Sequence, residues 1–180
     1  MVKKLSVLGT ENDSNFQAIV DFFKDSDVEI TCINDIEDTK KYFSENKFDL
    51  CAIAGYTKIV DAKTLKMCHF INIHPSLLPA FKGKNAIERA FKHGVKVSGV
   101  TVHYVDTHGG KIIAQYPVII DEMMSLSEFE AEIHKVERAL YPPVIKSILE
   151  DKLFSFDMLL KSAGGCGCKG GGYCKNKTLE

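Results

Sequence analysis

Two side chains able to handle the charge and the proton of a carbonyl reaction stand two residues apart in Asn72-Ile73-His74. A neutral amide donor stabilises a developing oxyanion, and an imidazole beside it manages one proton. In a β-strand a spacing of two puts both groups on the same side, where both can address one reacting atom. Pro75, Ser76 and Pro79 follow and predict a rigid turn. Taken alone, an Asn-x-His pair is more often a capped strand end with a satisfied histidine than a catalytic pair. A second candidate is an anion site. Ser14-Asn15-Phe16-Gln17 fits a helix-starting capping box, and the free N–H groups of such a start attract a phosphate. A third is the trio Cys166, Cys168 and Cys174. It lacks the fourth ligand of a closed tetrahedral metal site, so free thiols on a tail are favoured over a metal or redox cluster. His69, His93 and His103 read as surface or strand histidines without a function.

The elements that must position these groups follow from hydrophobic patterning. Leu5 to Leu8 is a short apolar run, too short for a helix, and reads as a strand. Phe16, Ile19, Val20 and Phe23 then recur at helical spacing. Val28 to Ile33 is a second strand, Ile36 to Glu45 a helix with Tyr42 and Phe43 inward, and Leu50 to Ala54 a buried strand ending at Gly55. Asp61 caps a short helix through Met67, and Phe70 to Ile73 is a fourth strand, which carries Asn72 to its end. Strands alternating with helices predict a doubly wound α/β sheet, mostly parallel. In such sheets ligands bind beyond the carboxyl ends of the strands. Asn85 to His93 reads as a helix, and Ser98 to Val105 and Lys111 to Ile120 as an antiparallel addition. Ser127, with Glu130 three residues on, caps a long C-terminal helix that Pro142-Pro143 kinks or restarts.

The 180 residues carry a formal charge of -1, with 45% hydrophobic and 26% charged residues. That is ordinary for a globular domain, and a chain of this size buries roughly 70% of its unfolded surface without a staple. Near-neutral charge gives no long-range pull toward nucleic acid or membrane, and Arg89 and Arg138 alone supply guanidinium forks for phosphate. No apolar run approaches the ~20 residues that span a bilayer. The start, Met1 to Leu5, reads as a strand rather than a signal peptide, so the expected location is the cytoplasm. One domain over residues 1–161 is expected, followed by a Gly- and Cys-rich, disordered tail over 162–180.

Five segments, in order, resemble the glycinamide ribonucleotide formyltransferases of purine synthesis, within the folate-dependent formyltransferases. They are Ala54-Gly-Tyr56, Ile71-Asn-Ile-His-Pro-Ser-Leu-Leu-Pro-Ala-Phe-Lys-Gly83, Gly99-Val-Thr-Val-His-Tyr-Val-Asp106, Ile112-Ile-Ala-Gln115 and His134-Lys-Val-Glu-Arg-Ala-Leu-Tyr-Pro142. The likeness runs over roughly residues 1 to 153. It implies a Rossmann-like formyltransferase fold and attack by a primary amine on the formyl group of 10-formyltetrahydrofolate. The amine would belong to a small, phosphorylated substrate of the glycinamide ribonucleotide type. Small molecules are the implied partners, no metal is required, and the chain would be a monomer or homodimer. Asn72 would bind the oxyanion, and His74 would act as imidazolium and move protons. Ser14 and Asn15 would hold the substrate phosphate, Glu137 the ribose, and the Gly55 backbone would lie beside the substrate. Lys58, Ile59, Val60, Val105, Gly109 and Lys111 would line the folate pocket.

The chain departs from the family pattern in three places. Asp13 replaces the glycine before Ser-Asn, and a carboxylate there repels a phosphate. The stretch between the first helix and the Leu50 strand is shorter by about a helix. The family's Val-Asp-x-x-x-Asp-x-Gly-Pro becomes Val105-Asp-Thr-His-Gly-Gly-Lys111, two residues shorter. Aligned from one side His108 takes the place of the catalytic aspartate; aligned from the other, Asp106 is the family's first aspartate. Three further readings stand beside the active enzyme: a non-catalytic folate- or nucleotide-binding relative, a formyltetrahydrofolate hydrolase, and a metal handler working through its Cys tail.

Overall fold

The computed structural model describes residues 2–34, 39–56, 60–106 and 110–156. Lys58, Ile59, His108, Gly109 and the tail with Cys166, Cys168 and Cys174 lie outside the described residues. In chain order the elements are β1 (Lys3–Leu8), α1 (Ser14–Phe23), β2 (Val28–Ile33), α2 (Thr39–Glu45), β3 (Leu50–Ile53), β4 (Phe70–His74), α3 (Ala86–Lys92), β5 (Val97–Tyr104), β6 (Ile112–Ile119) and α4 (Leu126–Leu149). They form one six-stranded sheet in the order β2-β1-β3-β4-β5-β6. The first four strands of that order pair parallel, and β5 and β6 add antiparallel. This is the expected α/β sheet with its antiparallel addition and long C-terminal helix.

Period-two alternation divides the core between the two faces of the sheet. Leu5, Val7, Ala52, Ile71 and Ile73 pack with α1 and α4; Leu8, Cys51, Ile53 and Phe70 form a second cluster with Phe43 of α2. Asn72 and His74 therefore share the face of Phe70. Tyr141 of α4, fully buried, reaches the sheet beneath them. Its hydroxyl accepts the Ile53 N–H at 3.1 Å and lies 3.0 and 3.1 Å from the Ile53 and Ile71 carbonyls, to one of which it donates. Tyr141→Phe leaves the Ile53 N–H orphaned in a dry core, and the expected loss is about 1–3 kcal/mol of stability. Denaturant unfolding measures it, and an unchanged midpoint would show that the hydroxyl does not tie β3 to β4.

Four local expectations are corrected. The cap of α1 is Asp13, not Ser14: its Oδ1 accepts from Asn15 N at 2.9 Å and Phe16 N at 3.3 Å. A carboxylate matches the positive end of the helix better than a hydroxyl does. Gln17 closes no box and donates to Glu11 O at 2.6 Å. The region from Asp61 to Met67 forms a 3-10 turn over Thr64–Lys66 alone, with the Asp61 carboxylate taking the Lys63 and Thr64 N–H groups. Helix α4 starts one turn fraction earlier, on the Ser125/Glu128 box, which brings Leu126 onto the core. It also runs unbroken through Pro142 and Pro143. Those prolines withdraw N–H partners from the carbonyls of Arg138 and Ala139, which sit at exposed positions where water can replace them.

Candidate active site

Strand β4 ends between β3, its parallel neighbour, and β5, its antiparallel one. The chain then turns through Pro75 to Lys84, and a network of hydrogen bonds holds that turn. Thr101 Oγ1 on β5 donates to Ser76 O at 2.6 Å and accepts Leu78 N–H at 3.0 Å. Gln115 Nε2 on β6 reaches Thr101 Oγ1 at 3.0 Å and Leu78 O at 2.9 Å. Ser76 Oγ donates to Ala80 O at 2.6 Å. A Cβ on Gly99 would stand 2.1 Å from Tyr116 O and 2.8 Å from the Leu77 side chain, so this approach tolerates no side chain. Sequence reasoning assigned Thr101 and Gln115 no role, although both lie in the resemblance segments. Thr101→Val is expected to lower stability by about 1–3 kcal/mol, since it strands the Leu78 N–H, whereas Thr101→Ser keeps the oxygen and most of the stability. Thermal unfolding of the pair decides, and equal losses would remove the hydroxyl from the account.

The register of β4 on β5 pairs Asn72 with His103. His103 Nδ1 lies 2.8 Å from Tyr104 O, and a carbonyl can only accept, so Nδ1 carries the proton. In the neutral ring Nε2 is then an acceptor, and Asn72 Nδ2 donates to it at 3.3 Å. One backbone carbonyl thereby sets the orientation of the Asn72 amide, leaving its second N–H for a ligand. His103 is thus part of the site, contrary to its reading as an idle strand histidine. His74 Nε2 lies 3.2 Å from Phe81 O and by the same rule carries a proton there. Arg89 Nη2 grips that carbonyl too, at 2.6 Å, and Lys82 O at 2.7 Å. Burial lowers the His74 pKa below the ordinary histidine value, with the Phe81 bond opposing, His103 and Arg89 adding to the depression and Glu137 countering it.

Two cavities, of about 550 and 520 Å3, share Tyr56, Asn72 and His103. The first holds His74, Leu78, Pro79, Lys82 and Lys84. The two lysines carry no signal in the Asn-x-His reading and were missed. The second holds Val60 and Val105 of the expected folate set, with Leu65, Asp61 and Asp106. Lys111 is exposed at the start of β6, and its carbonyl accepts Tyr104 N–H. Asp106 Oδ1 accepts Gly110 N–H at 2.9 Å, so this carboxylate stands on the Asn72 side of the cleft. Among the described residues, Glu137 is a carboxylate whose field reaches His74.

The expected substrate residues also meet. Glu137 is buried, 3.5 Å from Asn15 Nδ2 and 2.9 Å from His134 Nδ1, and this bond raises the His134 pKa. Gly55 has a positive φ of 69° and packs against the Asp13 carboxylate. Ser14 is exposed at the start of α1. Among the described residues no cluster of His, Cys, Asp or Glu is spaced to hold a metal, and no helix is long and apolar enough to cross a membrane.

The family described as formyl transferase matches residues 34–145. Phosphoribosylglycinamide formyltransferase of Bacillus subtilis (strain 168) is 36% identical, over 82% of this chain and 95% of its own. That of Haemophilus influenzae is 32% identical, over 84% and 90%. Among solved structures, glycinamide ribonucleotide transformylase 1 from Geobacillus kaustophilus superposes with a TM-score of 0.72 at 32% identity, over 83% of this chain and all (100%) of that one. Phosphoribosylglycinamide formyltransferase from Anaplasma phagocytophilum gives 0.73 at 31%, over 82% and 87%.

Proposed function

The chain belongs to the formyl transferase family, in its phosphoribosylglycinamide formyltransferase branch, and from that premise we propose that it transfers a formyl group from 10-formyltetrahydrofolate to the primary amine of a small glycinamide-type substrate. The observation that carries the proposal is the placement of Asn72 and His74 on one face of β4, with Asn72 where two cavities meet. The second cavity suits a flat folate ring, because Ile53, Val60, Leu65 and Val105 offer apolar walls to it. Lys82 and Lys84 at the first cavity match a carboxylate-bearing tail.

In this reading the amine attacks the formyl carbon, and the free N–H of Asn72 meets the oxyanion as it forms. His74, kept neutral by burial, takes the proton of the attacking amine on its Nδ1 lone pair and returns it to the leaving nitrogen. This reading differs from the imidazolium role that the resemblance implies: Glu137 favours the charged ring, and burial, the larger influence, disfavours it. The test mixes the full chain with 10-formyltetrahydrofolate and ribosylglycinamide, with and without its phosphate, and follows tetrahydrofolate release. Release that needs an amine supports transfer. Release without any amine supports the hydrolase alternative, and no release at high enzyme concentration sinks both.

A further inference from the structure

The positive end of α1, the natural receiver of a phosphate, is occupied by the chain itself. Asp13 Oδ1 takes the N–H groups of Asn15 and Phe16, so an incoming anion finds a carboxylate in its place. A second anion at the same turn is repelled at short range. Asp13 Oδ2 lies against Gly55, where a Cβ would come within 2.5 Å of it, and Gly55 adjoins Tyr56 of both cavities. A separate observation points the same way. Asn15, at the next turn position, is 7% exposed, and its Oδ1 is buried without a partner. Beside it stands Glu137, 5% exposed, which accepts from Asn15 Nδ2 at 3.5 Å and from His134 Nδ1 at 2.9 Å. Glu137 also acts electrostatically on His74, which ties this cluster to the reacting end of the cleft.

Hydrogen bonds link Asp13 to Asn15 and Asn15 to Glu137, and the oxygens this cluster adds are acceptors: Asp13 Oδ2, Asn15 Oδ1 and the Glu137 carboxylate. A buried orphan oxygen is costly, and a ligand hydroxyl or ammonium removes that cost. We propose that Asp13, Asn15 and Glu137 form a donor-accepting subsite that selects an amine substrate whose far end carries hydroxyl or ammonium donors and discriminates against a phosphate monoester there. The proposal rests on the formyl-transfer reading and specifies its acceptor. It replaces the expectation that Ser14 and Asn15 hold a phosphate, and makes Asp13 the specificity-determining residue.

The experiment titrates ribosylglycinamide and its phosphate ester into the full chain and into Asp13→Asn and Asp13→Ser, with calorimetric readout. Both replacements keep a good helix cap, so the fold is retained while the charge is removed. Wild type is expected to bind the unphosphorylated amine at least as tightly as the ester. Both variants are expected to shift the affinity ratio toward the ester by about tenfold or more. Ester binding that appears in the variants alone has the same meaning. An unchanged ratio in both variants, a wild-type preference for the ester, or no binding of either amine by any of the three proteins overturns the subsite. Tetrahydrofolate release is followed separately: its absence despite a ratio shift counts against formyl transfer and leaves the subsite standing.

Discussion

Replacing Asn72 with alanine is expected to lower kcat by about 10²- to 10³-fold, the loss that follows removal of one preorganised oxyanion donor. The preorganisation can be followed atom by atom. Tyr104 O fixes the proton of His103 on Nδ1, the bare Nε2 then takes one N–H of Asn72, and the other N–H is left pointing for use. Nothing in that chain must reorganise when charge develops, which is why one amide is worth so much. The strand survives the change, because β4 is held by backbone pairing to β3 and β5 and by Tyr141 beneath. KM for both substrates should move little, since the lost interaction belongs to the transition state. His103→Ala should reproduce part of the kcat loss, because the amide is then free to rotate. Steady-state kinetics beside circular dichroism provide the check. A kcat for Asn72→Ala within tenfold of wild type would remove Asn72 from the chemistry.

Much of this site is legible in the sequence because it rests on local periodicity. Phe70, Asn72 and His74 alternate with Ile71 and Ile73, and alternation alone puts the pair on one face. What the sequence hides is register. His103 sits in a strand pattern like any other histidine, and only the antiparallel pairing of β4 with β5 brings it opposite Asn72. Thr101 and Gln115 are hidden for the same reason: each bonds the turn after His74 from a different strand. The capping errors have another cause. Asp13 and Ser14 are adjacent and both good caps, and Ser125-x-x-Glu128 overlaps Ser127-x-x-Glu130 in the same pattern. Local chemistry offers both starts in each case. Tertiary context chooses, through the Gly55 backbone that receives Asp13 and the core contact made by Leu126. Pro142 and Pro143 misled because the cost of proline depends on whether the deprived carbonyls reach water, which sequence does not state.

His74→Ala is expected to cost about 10²- to 10⁴-fold in kcat, the usual range for a positioned acid–base group. The pH profile makes the claim more specific than the loss itself. Burial disfavours the imidazolium of His74, so its pKa lies below the ordinary histidine value of about 6.5. A base must be neutral to accept a proton, so kcat/KM should rise with pH through that lowered pKa and level off above it. The acid limb should therefore fall below the ordinary histidine range, and it should vanish in His74→Ala. Glu137 supplies a second test. Its negative charge favours the imidazolium, so Glu137→Gln should move the limb to lower pH still, whereas a Glu137 that merely bound substrate would leave the limb in place and change KM. Removing the Arg89 guanidinium, which disfavours the imidazolium, should move it up, although Arg89→Ala also loosens the Phe81 carbonyl that orients the ring. Rate profiles of the wild type and Glu137→Gln between about pH 4.5 and 8.5 bracket these shifts. A kcat/KM that instead falls as pH rises through the histidine range would mean that His74 works as a cation held by a carboxylate, and the neutral-base mechanism would be wrong.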